Sequence, residues 1–147
     1  MNYPPRTTSI AVTCIAAGLL WTASQWWQTG LATPSGAVHI SPNGCYRVQK
    51  FKPFWILPNI FHTRTHPGEP NTPQWLPWWS SPGFYRLYDN RNGRLIGESD
   101  IHDLTSASGT LYWGDIKLPE VSAGLITIGP NLADCIGDHP DTPQVQQ

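Results

Sequence analysis

"GFYRLYDNRNGRLIGES", residues 83–99, is the strongest local signal in the chain. Asn92-Gly93 supplies a turn with positive φ between two runs rich in aromatic and aliphatic residues, the pattern of a β-hairpin. A two-residue loop would set Arg91 opposite Arg94, which like-charge repulsion disfavours. A four-residue loop, Asn90 to Gly93, instead pairs Asp89 with Arg94, Tyr88 with Leu95 and Leu87 with Ile96. The second register is the one expected.

Outward from this hairpin the chain reads as strand, turn and strand. "CYRVQKFK" (45–52) has strand composition, with Tyr46 and Val48 on one face and Cys45 and Phe51 on the other, so both faces are expected to be partly covered. Pro53 ends it. "GTLYWGD" (109–115) and "AGLITIGP" (123–130) read as two further strands separated by a turn region at Pro119. Nothing beyond residue 33 repeats near 3.6 residues, so helix is minor there. The fold class expected is mainly β: a small antiparallel meander or sandwich of about five strands, preceded by one N-terminal hydrophobic helix. Between the strands, residues 56–83 carry Pro58, Pro67, Pro70, Pro73, Pro77 and Pro82. Such a density excludes a long helix or central strand and predicts a long irregular loop. Trp75, Leu76, Trp78 and Trp79 within it are too apolar to hang free, so they are expected to fold back onto the sheet.

The chain has 147 residues, 13% of them charged, with 15 prolines and 8 tryptophans. Few charges and many aromatics argue against disorder, and a net charge of −1 gives no case for nucleic acid. Charge is unevenly placed: seven basic residues lie between Arg47 and Arg94 against Glu69 and Asp89, and eight acids follow from Glu98 onward against Lys117 alone. Interleaved strands would cancel this in space.

From Thr7 to Tyr46 no charged residue occurs in 40 positions. Arg6 precedes "SIAVTCIAAGLLWTA", an apolar run with the dimensions of a signal h-region, and Ile10 to Ala32 is long enough to cross a bilayer with Trp26 and Trp27 at the outer interface. Residues 1–33 therefore read as a signal anchor or a signal peptide, the anchor being preferred because neither Thr22-Ala23-Ser24 nor Gly30-Leu31-Ala32 is a good cleavage site. Residues 34–147 read as an exported β domain. Cys14 lies in the leader, which leaves Cys45 and Cys135 as an even pair in an oxidising compartment and so as a disulfide. Closing a loop of about 90 residues is worth roughly 4–5 kcal/mol in the chain-entropy model.

Candidate chemistry is sparse. His62 and His66, four apart, lack the helix that makes such a pair a metal site, and no metal or cofactor is expected. Asp100, His102 and Asp103 in "ESDIHDLTS" have no positioned nucleophile, Ser106 and Ser108 do not form a G-x-S-x-G elbow, and no phosphate-binding or zinc signature occurs. An enzyme is not expected. Trp55, Trp75, Trp78, Trp79 and Trp113 suit either a small core or a partner surface. The stretch from Glu98 through Asp100 to Asp103 suits a basic partner.

Taken together, "SPNGCYRVQKFKP", "PGFYRLYDNRNGRLIGESDIHDL" and "VSAGLITIGPNLADC" resemble a family of small exported bacterial proteins similar to the immunity proteins encoded beside toxic effectors of the type VI secretion system. The likeness spans about residues 41–136 and brings no catalytic residue with it. It implies a periplasmic immunity-type protein, held at the inner membrane (or free in the periplasm if the leader is cleaved), that binds and neutralises a cognate protein toxin. Trp75, Trp78, Trp79, Glu98, Asp100 and Asp103 are the candidate contacts. The alternative is an envelope module that uses the tryptophans to bind carbohydrate or peptidoglycan.

Overall fold

The computed structural model describes residues 6–131 together with 137 and 138. It is mainly β, with antiparallel sheets and one N-terminal apolar helix. That helix, α1 (Arg6–Gly30), stops where Leu31 N–H still reaches Trp27 O, and Pro34 follows. Residues Thr8–Gly30 are long and apolar enough to span a membrane or to act as a signal sequence. The hydroxyls of Thr13, Thr22 and Ser24 donate to carbonyls three or four residues back, so this stretch satisfies them internally.

The central sheet runs β1 (Thr33–Ile40), β2 (Tyr46–Lys52), β5 (Pro82–Asp89), β6 (Leu95–Glu98), with the short β7 (His102–Asp103) also pairing β5. β1 is an exposed edge that follows β2 through a bulge between Pro34 and Val38. A second sheet is formed by β8 (Leu111–Tyr112), β9 (Glu120–Ala123) and β10 (Ile126–Pro130) in the order β10-β9-β8. Between β7 and β8 lies a single helical turn, α2 (Leu104–Ala107), whose N-cap is Asp103.

The hairpin at 83–99 closes as expected at its tip: Asp89 N–H donates to Arg94 O and Gly93 N–H to Asp89 O, each at 2.8 Å. Tyr88 faces Leu95, but Leu87 faces Gly97 rather than Ile96, because a bulge interrupts the ladder between them. The cause lies far away in sequence. Gly97 crosses β10 so closely that a Cβ would sit 2.5 Å from the Ile128 carbonyl oxygen, and placing this glycine at the crossing requires the one-residue slip.

β2 and β5 pair from Tyr46↔Asp89 to Phe51↔Phe84 and divide the interior in two. One face carries Tyr46, Val48, Tyr85 and Leu87 against Val121, Ala123, Ile126 and Ile128 of the second sheet, with Leu104 and Ala107 of α2. The opposite face carries Phe51 and Phe84 with Ile101, covered by Ala32 and Trp55. Both faces of β2 are thus used. At the chain's far end the buried Asp138 carboxylate accepts from the Ser41 hydroxyl, from Cys45 N–H at 2.9 Å and from Asn43 N–H at 3.1 Å, fastening the turn ahead of β2. Cys45 is buried and engaged, and Cys14 is an exposed free thiol. Cys135 lies outside the described residues.

Two expectations for residues 56–83 are corrected. The segment is not an irregular loop throughout: β3 (Thr63–His66) and β4 (Glu69–Trp75) form a two-stranded antiparallel sheet. Pro70 and Pro73 are tolerated because β4 has only one partner and no second ladder to break. Nor do the tryptophans fold back. Trp75, Trp78 and Trp79 are 69%, 77% and 65% exposed, and Leu76 alone enters the core.

Candidate functional site

Three basic or polar side chains organise the region where α1 meets the sheet. Gln28, one residue before Thr29 and two before the end of α1, is buried in spite of its amide. Its side-chain oxygen accepts from Arg64 Nη2 at 2.6 Å and from Trp55 Nε1 at 3.2 Å, and its backbone oxygen accepts from Phe54 N–H at 3.0 Å. Arg64 rises from β3 with its guanidinium 5.1 Å from the Trp55 ring centre, and His62 stacks on the same tryptophan at 3.8 Å. Burial pulls the Arg64 and His62 pKa values below their ordinary ranges; for Arg64 the nearby Asp100 charge opposes the shift. On β5 of the central sheet, Arg86 pairs with Glu98, donates to Thr29 O at 2.8 Å and lies over Phe51 and Phe84 at 4.6 and 5.2 Å. The last turn of the helix is therefore bolted to the domain by four donors.

Two clefts flank this clamp. One of about 380 Å³ opens between the helix end and the sheet and is lined by Gln25, Gln28, Arg64, Glu98 and Asp100. The other, about 410 Å³ and mostly apolar, lies between residues 21–28 of α1 and residues 54–64, with Trp21, Trp27, Phe54, Trp55 and Phe61 in its walls.

The candidate residues divide by what else they do. Asp103 caps α2 through Thr105 N–H and accepts from Ser81 N–H, so it is committed to structure. Glu98 is committed to Arg86. Asp100 is exposed beside Arg64. His102 Nδ1 lies 3.0 Å from Thr65 O, tying β7 to β3 rather than standing beside a nucleophile. Trp75 shares a shallow depression with Asp103, whereas Trp78 and Trp79 make an edge-to-face pair with centres 5.7 Å apart on the turn beyond it. His62 and His66 are each used locally, His62 on Trp55 and His66 as acceptor of Gly68 N–H, and among the described residues no three potential ligands gather around a metal position.

Sequence reasoning passed over Gln28 and Arg64. A signal was present: Arg64 is the one charged residue between Lys52 and Glu69, set in a stretch otherwise apolar or neutral. Such an isolated charge needs an acceptor, and the polar close of the apolar helix supplies it. Comparisons with protein families, with characterised proteins and with solved structures give no match.

Proposed function

We propose that the chain is an exported, membrane-anchored immunity-type protein that binds and neutralises a cognate toxin in the periplasm. The observation that carries the binding part is the aromatic tract Trp75, Trp78 and Trp79. It stands exposed beside Asp103, which is already fixed by structure. Large rigid aromatic side chains on a braced surface are what a protein interface uses as anchors. Asp100, exposed at the mouth of the polar cleft, supplies the charge for a basic partner.

The clamp favours retention of α1. Cleavage after Ala32 would remove the acceptors that Gln28 and Thr29 offer to Arg64, Trp55, Phe54 N–H and Arg86, and would uncover the aromatic layer of Trp55 and Phe51 to water. The mature protein then begins with its leader, which mass spectrometry of protein from the native envelope checks. The same reading pairs Cys45 with Cys135. Asp138, three residues along the chain from Cys135, holds the Cys45 amide.

The test is protection. Cells directing the toxin encoded beside this gene to the periplasm should survive when the full chain is present, and Trp75→Ala with Asp100→Ala should weaken the complex at least tenfold. A correctly inserted protein that neither protects nor binds that toxin refutes the reading. Exposure of the same tryptophans also favours the carbohydrate reading, which predicts a saturable fluorescence change with peptidoglycan fragments instead.

A further inference from the structure

Phe54, Ile56, Leu57, Ile60 and Phe61 are 43%, 73%, 56%, 49% and 57% exposed and follow one another within eight residues. Asn59, the polar residue among them, is turned inward, with its amide donating to the Ser80 carbonyl and hydroxyl. Pro53 is buried and Trp55 is held by Gln28, so the segment is a braced ledge with an apolar outer side. A loop this apolar in water has no structural reason to remain uncovered.

Its position says what covers it. The ledge lies alongside α1 at residues 21–28, with Trp21 and Trp27 sharing the apolar cleft with Phe54 and Phe61. Trp21 is nine residues from the end of α1, roughly 13 Å along its axis. A bilayer whose outer interface lies at Trp26 and Trp27 therefore meets the ledge as well. The flanks agree: residues 53–63 contain no charge, and the first charged groups on either side are Lys52 and Arg64. That is the order of an interfacial segment, apolar below and basic at the headgroups.

The geometry points to the ledge 54–61 as a lipid-contact surface, seated at the headgroup–acyl boundary of the outer leaflet beside α1 and fixing how the domain stands on the membrane. This rests on α1 being a retained membrane anchor. It adds that the domain is not tethered loosely but docked.

Spin labels test both layers in the full chain, reconstituted in vesicles of phosphatidylethanolamine and phosphatidylglycerol on a Cys14→Ser background. Labels go at Ile56→Cys on the ledge, Leu19→Cys in α1 and Leu125→Cys on the β9–β10 turn, all exposed positions. The ratio of oxygen to nickel-chelate accessibility should be severalfold higher at 56 than at 125, approaching that at 19. A membrane-like value at 19 with a water-like value at 56 overturns the ledge and leaves the anchor standing. Water-like values at both positions overturn the two together.

Discussion

The two faces of the β2–β5 pair are filled by different chemistry. Toward β9 and β10, Val48, Leu87, Val121 and Ile126 are almost fully enclosed and meet one another with aliphatic surface. Toward α1, the same two strands present Phe51 and Phe84 beneath the Arg86 guanidinium, and the next layer is Gln28, Arg64 and Trp55 held by named hydrogen bonds. The first face is stabilised by removal of apolar area from water and tolerates little loss of volume. The second is a layer of paired polar groups that is costly to half-dismantle and fixes geometry more than it adds stability. A domain docked to a helix needs the second kind of contact, because direction comes from hydrogen bonds rather than from apolar area.

Cutting into the dry face should give the largest effect. Leu87→Ala is expected to lower unfolding free energy by about 2–5 kcal/mol, since the cavity is closed in by both sheets and cannot collapse. Urea unfolding in detergent micelles measures it. A cost below about 1 kcal/mol would mean that the two sheets slide to fill the space and that the faces are not mechanically distinct.

On the other face the informative change removes an acceptor. Gln28→Ala takes the acceptor from Arg64 Nη2 and from the Trp55 N–H, at about 1.5–3 kcal/mol, while Gln28→Glu keeps an acceptor for both and should retain most of the stability. The same pair of variants sharpens the comparison if read by trypsin cleavage after Arg64: loss of the Gln28 acceptor should free this arginine for cleavage without opening the β core. Arg86→Lys comes next, at about 1 kcal/mol, because an ammonium keeps a charge near Glu98 but loses the planar stack on Phe51 and Phe84.

How far the sequence could be read follows this division. Period-two patterning and turn chemistry are local, and they were enough for β2, for the hairpin tip at Asp89 and Arg94, and for both faces of β2 being covered. What depends on distant partners was not legible. The slip at Ile96 is dictated by the Gly97 crossing of β10. β1, "TPSGAVHI", has a proline and a glycine and poor strand composition, and it is a strand only because β2 offers an edge. In β4, "EPNTPQW", the prolines conceal a strand that needs just one partner. At the candidate site the exposure of Trp75, Trp78 and Trp79 ran against their hydrophobicity, and Gln28 and Arg64 acquire meaning only when helix and hairpin are seen side by side.

The smallest expected effect tests the buried carboxylate at the end of the dry face. Asp89 is opposite Tyr46 at the end of the ladder, and its side chain is 6% exposed. Arg91 wraps it, donating from Nε at 3.0 Å, Nη2 at 2.9 Å and the backbone N–H at 2.9 Å. The Arg91 side chain, then its amide, hold the Asp89 pKa down at about 2 from 3.8 against the opposing pull of burial. The native state therefore binds this proton less readily than the unfolded chain does. Stability from Asp89 is complete above about pH 4 and is lost as pH falls toward 2. Asp89→Asn should lower stability at neutral pH and flatten the acid limb between those limits, read from urea midpoints against pH. An unchanged acid limb would show that the carboxylate is as free in the folded protein as in the unfolded one, and that the aliphatic face ends before residue 89.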